Sequence, residues 1–221
     1  MVDGNIEGVK LCFSYDTQFG HVERPTHANT SWDVAKFEVP VHKWMDLSEG
    51  DYGVSILNDC KYAADVRNNM MRLTLLKAAN APDPKADKGT HHFTYSLLPH
   101  AGDLRAGKVI EESYALNCPM TVVPLEQQKA NLGQQYSFFS VDRPGVIIES
   151  IKKAEKSDAT IVRLYEAANT RGAVNVSSSL SLKNAQEVDL MERNGTALKL
   201  NKGAVNLSIK PFQIRSIALT Q

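Results

Sequence analysis

Two stretches concentrate the chemistry of this chain. Phe19 to Trp44 reads FGHVERPTHANTSWDVAKFEVPVHKW, and Ser55 to Asp65 reads SILNDCKYAAD. Three histidines, Glu23, Arg24, Asn29, Asp33, Asp59, Lys61 and both tryptophans fall within them, at spacings that do not suit an amphipathic helix. Asn58, Asp59, Lys61, Tyr62 and Asp65 bring donors, acceptors and an aromatic ring to one strand end. Sugar recognition uses this set, with paired hydrogen bonds to vicinal hydroxyls and a ring against a C–H face. A second reading stays open, in which Asp59 and Asp65 cap turns and Tyr62 packs on Trp32 or Trp44. In the block ERPTHANTSWD, Glu23 and Arg24 suit an inter-strand or interdomain ion pair, and Pro25 ends a strand. Asn29, Thr30 and Ser31 make a side-chain-bonded turn, and Trp32 is expected to anchor the loop in the core. Glu23, Arg24, His27, Asn29 and Trp32 are therefore read as a rigid loop built to meet another domain, with sugar contact as the secondary role.

Other chemistries find less support. His21 and His27 are six apart, and His91 and His92 are adjacent, so that in a strand they point to opposite faces. Neither matches the short, convergent spacings of zinc ligands, and no metal site is assigned. Glu111-Glu112, Asp83/Asp87 and Glu38/Asp46 are candidate carboxylate pairs, but a retaining glycosidase needs its two groups about 5 Å apart. They are read as solvated loop charges. No G-x-S-x-G elbow or glycine-rich phosphate loop occurs, so no catalytic residue and no cofactor is assigned. The 25 basic residues balance the 25 acidic ones, which argues against nucleic acid or an anionic membrane as partner. No run approaches the ~20 apolar residues of a membrane helix. Cys12, Cys60 and Cys118 are odd in number and widely spaced, and MVDGNIEGVK lacks the apolar core of a signal peptide. Free thiols in a reducing, cytoplasmic setting follow.

The elements that must position these residues are short strands separated by turn signals. Met71, Leu73 and Leu75 alternate on one face, as do Phe93, Tyr95 and Leu97, and the two runs are expected to form a hairpin across the AANAPDPKADKG loop. Asp103 to Ser113 suits a short helix or an extended connection. Residues 137–221 read as a separate antiparallel sandwich, with strands over Ser137–Val141, Val146–Lys153, Thr160–Glu166, Ala173–Leu180, Glu187–Met191, Ala204–Ile209 and Ile214–Leu219. The expected organisation is a large β-domain over 1–118, a connection over 119–136 and a small β-sandwich over 137–221.

Five ordered blocks carry a family resemblance. FGHVERPTHANTSWD with HKWMDLSE and YGVSILNDCKYAADV is the first, followed by MRLTLLKAANAPDPKADKGTHHFTYSLLPHAGD and VIEESYALNCP. The tail adds IVRLYEAAN, EVDLMERN and IKPFQIRSIAL. Together they resemble the C-terminal β-region of the glycoside hydrolase family 38 α-mannosidases, in its bacterial and cytosolic branch. The resemblance implies an all-β fold of antiparallel sandwiches: part of a large, galactose-mutarotase-like supersandwich, then a smaller C-terminal one. It also implies that the catalytic zinc and the aspartate nucleophile of a retaining α-mannosidase lie on an N-terminal α/β domain, whose His-x-Asp motif is not found here. This chain would brace and complete the active site, with Lys61 approaching the α-mannoside, and would show no turnover alone. A free-standing carbohydrate-binding module is the alternative. The chain is also expected to begin inside the large sandwich, leaving an unpaired edge through which a second copy would pair.

Overall fold

Tight hairpins build the first part of the molecule, and their turn residues explain where they fold. In the computed structural model, which describes residues 12–124 and 131–221, β1 (Cys12–Thr17) returns as β2 (Gly20–Pro25) with Phe19 at φ 58° in the turn. After α1 (Ser31–Ala35) come β3 (Val39–Pro40), β4 (Trp44–Ser48) and β5 (Tyr52–Asn58). A second hairpin joins β6 (Ala63–Arg67) to β7 (Met70–Leu73), with Asn68 at φ 54°. Asparagine tolerates that left-handed conformation, and a two-residue turn containing it follows the natural strand twist. β8 (Tyr95–Ala101) and α2 (Val109–Asn117) follow.

The chain divides into two compact units, residues 1–122 and 123–221. The first holds an antiparallel sheet in the order β2-β1-β4-β5-β8 and a smaller one in the order β3-β6-β7. Phe13, Tyr15, Met45 and Leu47 of the larger sheet pack on Val39, Ala64 and Val66 of the smaller. Each such side chain, fully buried, contributes roughly 1.5–3 kcal/mol. Because strand residues alternate, the opposite face of the large sheet carries Ser14, Asp46, Ser48 and Ser55, all buried. α2 lies against β4 and β5 and buries Val109, Ile110 and Ser113.

In the second unit, β9 (Phe139–Val141), β10 (Val146–Lys153), β11 (Thr160–Glu166) and β12 (Gly172–Ser178) are followed by β13 (Asn184–Val188) and β14 (Thr196–Leu198). β15 (Leu200–Asn201), β16 (Ala204–Ile209) and β17 (Ile214–Thr220) complete it. Sheet β10-β11-β17-β13-β14 faces sheet β15-β16-β12-β9. Val162, Leu164, Ile217 and Leu219 from one meet Val174, Val176, Leu207 and Ile209 from the other. The expected antiparallel β-sandwich architecture is found.

Several local expectations are corrected. Met71 to Leu76 and Phe93 to Leu97 do not form a hairpin: β7 pairs with β6, and β8 pairs with β5, in different sheets. The close Asn68-Asn69 turn supplies β7 with a partner before the long loop can close, and a short loop costs less entropy. β7 ends at Leu73, and Leu75 is exposed rather than facing a core. The strand expected over Glu187–Met191 lies at Asn184–Val188. Asp189 ends it, because its carboxylate accepts from the amides of Met191 at 2.9 Å and Arg193 at 2.8 Å and bends the chain away. Between Cys118 and Phe138 no helix or strand occurs among the described residues, and residues 125–130 of the expected connection lie outside them.

Candidate functional site

The strand end at β5 is built around Asn58. Its Nδ2 donates to the His42 carbonyl at 2.6 Å, and its Oδ1 accepts from the Lys61 amide at 2.7 Å. From α2, Asn117 Nδ2 donates to the Asn58 carbonyl at 3.0 Å. Asn58 is buried, so it shapes the turn. Asp59 exchanges two hydrogen bonds with Thr94: its amide donates to the Thr94 carbonyl at 3.1 Å, and its Oδ2 accepts from the Thr94 amide at 2.9 Å. The neighbouring Cys60 thiol and the Thr94 amide hold the Asp59 carboxyl below the usual carboxylate value, and Asp59 in turn pushes the Cys60 thiol up. This clamp ties the segment before β8 to the turn that presents Lys61 and Tyr62.

Aromatic side chains surround that turn. Tyr62 is exposed, with its ring 5.5 Å from His42 and not on either tryptophan. Lys61 Nζ stands 4.7 Å from the centre of the Phe93 ring, and Phe93 lies 6.4 Å from Tyr95 at an interplanar angle of 21°. Tyr95 is itself exposed. An open cleft of about 300 Å³ lies beside Lys61 and Tyr62, with Leu75, Leu76 and His91 on its far side. Two near-parallel rings, a cation and a phenol facing solvent can hold a flat, hydroxylated ligand. The sequence pattern sets Phe93, Tyr95 and Leu97 on one face. In the structure Tyr95 and Leu97 of that face are exposed, and Phe93, Tyr95 and His42 are neighbours of the candidate site.

Asp65 belongs elsewhere. It lies on β6 opposite Arg72, whose Nε donates to Oδ1 at 2.6 Å and whose Nη2 donates to Oδ2. Asp65 thereby joins Arg24, His27, Asn29, Lys36 and Arg67 around a second cleft of about 310 Å³, floored by Phe13, Val39 and Val66. Arg24 donates through Nε to the Tyr15 hydroxyl, with its guanidinium 5.0 Å from that ring's centre. Glu23 and Arg24 form no ion pair among the described residues; they are neighbours in a strand and point to opposite faces.

α1 closes one side of this cleft. Thr30 caps it: its Oγ1 accepts from the Asp33 amide at 3.2 Å, and Asp33 Oδ2 accepts from the Thr30 amide at 3.0 Å and its hydroxyl at 2.9 Å. The Thr30 hydroxyl and the Thr30 and Asn29 amides depress the Asp33 carboxyl. The side-chain-bonded turn expected at Asn29 to Ser31 is thus centred on Thr30. Trp32 does not anchor it in the core. It is 77% exposed, and no residue of α1 is buried. The capping box fixes the helix from its own polar side chains, so folding does not require burying the indole.

The comparisons with known proteins agree with this architecture. Residues 5–85 match the sequence profile "Glycosyl hydrolases family 38 C-terminal domain", and residues 145–217 match "Glycosyl hydrolases family 38 C-terminal beta sandwich domain". The chain belongs to glycoside hydrolase family 38. It is similar to "Alpha-mannosidase 2C1" of Homo sapiens, at 44% identity over 93% of this chain and 20% of that protein. It is also similar to "Alpha-mannosidase G" of Dictyostelium discoideum, at 39% identity over 92% of this chain and 19% of that protein. The crystal structure of an α-mannosidase from Enterococcus faecalis V583 shares the fold, with a TM-score of 0.77, 15% identity, and coverage of 96% of this chain and 24% of that one. The chain therefore spans about a fifth of the length of the curated relatives it matches. It is a C-terminal region of family 38. Family membership raises the question of zinc. Among the described residues no group of three or more His, Cys, Asp or Glu side chains could hold a metal ion. No helix among them is long and apolar enough to cross a membrane.

Proposed function

We propose that this chain braces and completes the active site of an α-mannosidase that hydrolyses terminal α-mannosides with retention. The zinc and the attacking aspartate would lie on a catalytic α/β domain outside this sequence. The observation that carries the reading is α1 and the residues just after it, where Trp32 and Val34 of the capped helix and Phe37 beyond its C-cap are 77%, 58% and 64% exposed. Large apolar groups left facing solvent in one short segment, a tryptophan among them, have the composition of an interface centre. Trp32, together with Glu23, Arg24, His27 and Asn29, would meet the catalytic domain. Lys61 and Tyr62 would approach the sugar, positioned by Asn58 and Asp59, while Asp65 would support the α1 side through Arg72. The three free cysteines suit a cytoplasmic setting.

Mixing the chain with a separately prepared family 38 catalytic domain tests this. Restored cleavage of an aryl α-mannoside, lost in Trp32→Ala with an unchanged far-UV spectrum, is the expected result. Mannose release by the chain alone, or full complementation by Trp32→Ala, would overturn it. A second reading, a free-standing carbohydrate-binding module, draws on the exposed Tyr62, Phe93 and Tyr95 surface. Calorimetric titration with mannose and mannobiose separates the two, because a module binds without a partner. Pairing with a second copy through an edge strand of the large sheet is also proposed; a monodisperse monomer by light scattering at high concentration counts against it.

A further inference from the structure

The cleft between β2, α1 and β6 has a charge pattern that interdomain bracing does not explain. Its two carboxylates are already engaged. Asp33 is held by the Thr30 amide and hydroxyl, and Asp65 is bound at both oxygens by Arg72, which is not among the residues lining the cleft. The cations are not matched in the same way. The Lys36 ammonium has no hydrogen-bond or ion-pair partner among the described residues, and Arg24 uses Nε on Tyr15 and leaves both terminal nitrogens without one. Arg67 has only a 3.8 Å approach of Nε to the Asp65 oxygen that Arg72 already binds. His27 adds a buried Nδ1 with no hydrogen-bond partner, 4.0 Å from Asp33. A cleft that pairs its acids internally and leaves guanidinium and ammonium groups open is arranged to receive an oxyanion.

We propose that this cleft binds a small hydroxylated oxyanion, a sugar bearing a phosphate or a carboxylate. Arg24, Lys36 and Arg67 take the charged oxygens, and the Asn29 amide at the rim takes a hydroxyl. Phe13, Val39 and Val66 floor the cleft with apolar surface for the ligand's carbon face. The volume of about 310 Å³ is at the small end of ligand pockets, which run roughly 300–1,000 Å³, and suits a monosaccharide better than a polymer. With a formal net charge of zero the chain offers no extended basic surface, so the attraction is local to the cleft. The inference shares Arg24, His27 and Asn29 with the bracing reading, but binding to this chain requires neither a mannoside nor a second polypeptide.

Calorimetry or ligand-observed NMR on the full chain tests it, with inorganic phosphate, glucose 6-phosphate, glucuronate and glucose as four separate titrants. Saturable binding of glucose 6-phosphate or glucuronate with a Kd of about 1 mM or tighter is expected, weakening as salt is raised. Which of the two binds better identifies the oxyanion's source, and inorganic phosphate should bind more weakly than its sugar ester. Lys36→Glu and Arg67→Gln, both at exposed positions, should each weaken binding by about tenfold with the thermal midpoint unchanged. Arg24→Gln is the less useful variant because Arg24 also holds Tyr15. Equal binding of glucose and glucose 6-phosphate, an unaffected affinity in Lys36→Glu, or no binding of either charged sugar would each overturn the proposal.

Discussion

The imidazole of His100 is the tightest-fitted group in the first unit, and adding one methyl group beside it measures how much the unit relies on that fit. His100 Nε2 lies 2.8 Å from Asp46 Oδ1 and 3.3 Å from Ser55 Oγ, in a buried cluster where Ser55 also donates to Asp46 at 2.7 Å. Two glycines cover the ring. A Cβ on Gly107, just before α2, would stand 2.5 Å from His100 Nδ1, and a Cβ on Gly53 of β5 would stand 2.8 Å from Nε2. Ordinary contacts are 3.4–4 Å, so Gly107→Ala must push the ring about 1 Å toward a wall already closed by Gly53. Overpacking of this kind costs about 1–3 kcal/mol. If the displaced ring leaves Asp46, the opened buried bond adds roughly 1–3 kcal/mol. The sum is about 2–6 kcal/mol.

Tryptophan fluorescence during urea unfolding reads this unit alone, because the only two tryptophans are Trp32 and Trp44. Trp44 is fully buried and reports unfolding, whereas Trp32 is already 77% exposed. With a slope of about 1–3 kcal/mol per molar urea, Gly107→Ala should lower the midpoint by about 1 M or more. Gly50→Ala is the control. It meets nothing within 4 Å and should be neutral or stabilising by up to about 1 kcal/mol. If Gly107→Ala and Gly50→Ala unfold within about 0.5 kcal/mol of each other, the ring is not clamped and the reasoning fails.

Three further outcomes are expected. In the second unit, the fully buried Glu166 accepts from the Ala168 amide at 3.0 Å, the Thr170 hydroxyl at 2.8 Å and the Phe212 amide at 3.2 Å. Glu166→Ala should cost about 3 kcal/mol or more, read by circular dichroism, and Glu166→Gln less; equal losses would deny the carboxylate its role. Asp142 is held below its usual value of 3.8 by the amide and side chain of Asn175. A carboxyl depressed on folding stabilises above its unfolded value and loses that contribution as pH falls through the folded one. The urea midpoint of the second unit should therefore hold above about pH 5 and fall below about pH 4, less steeply in Asp142→Asn. Finally, Cys60 is raised by Asp59, so alkylation at pH 8 followed by mass spectrometry should accelerate at Cys60, but not at the exposed Cys118, in Asp59→Asn.

Strands whose two faces differ were legible in the sequence; sites assembled from distant strands were not. The alternations Val174/Val176 and Val205/Leu207/Ile209 place their side chains in the second core, because each pattern fixes a face and a one-residue slip would expose it. β10, β11 and β16 begin and end at the residues their turn signals marked. What a face packs against was not legible. Leu97 shares the alternation of a core strand, yet it lies past the reach of the three-stranded sheet and is exposed. The cluster of Asp46 with His100 spans 54 positions and carries no local signal. Asp65 was grouped with Asn58 to Tyr62 by sequence proximity, but the chain reverses between β5 and β6, and its carboxylate turns to Arg72.

The two faces of the large sheet invert what stability alone would select. One face buries Ser14, Asp46, Ser48, Ser55 and His100. Such a network must be fully paired to avoid a net cost, and an apolar layer there would be at least as stable. On the other face the row continues from Met45 through Ile56 to Leu97, and its last member lies in solvent beside Tyr95. Tyr95 and Leu97 are 56% and 51% exposed, so covering them would return about half of the roughly 1.5–3 kcal/mol that full burial of such a side chain contributes. A row of this kind gains its energy only when another surface covers it. The same holds for Trp32 and Val34 of α1 and for Phe37 just beyond it. Two separate apolar surfaces left in solvent are the signature of an assembly partner more than of a sugar pocket. On that ground bracing ranks above the free-standing module, even though Tyr62 and Phe93 would suit either role.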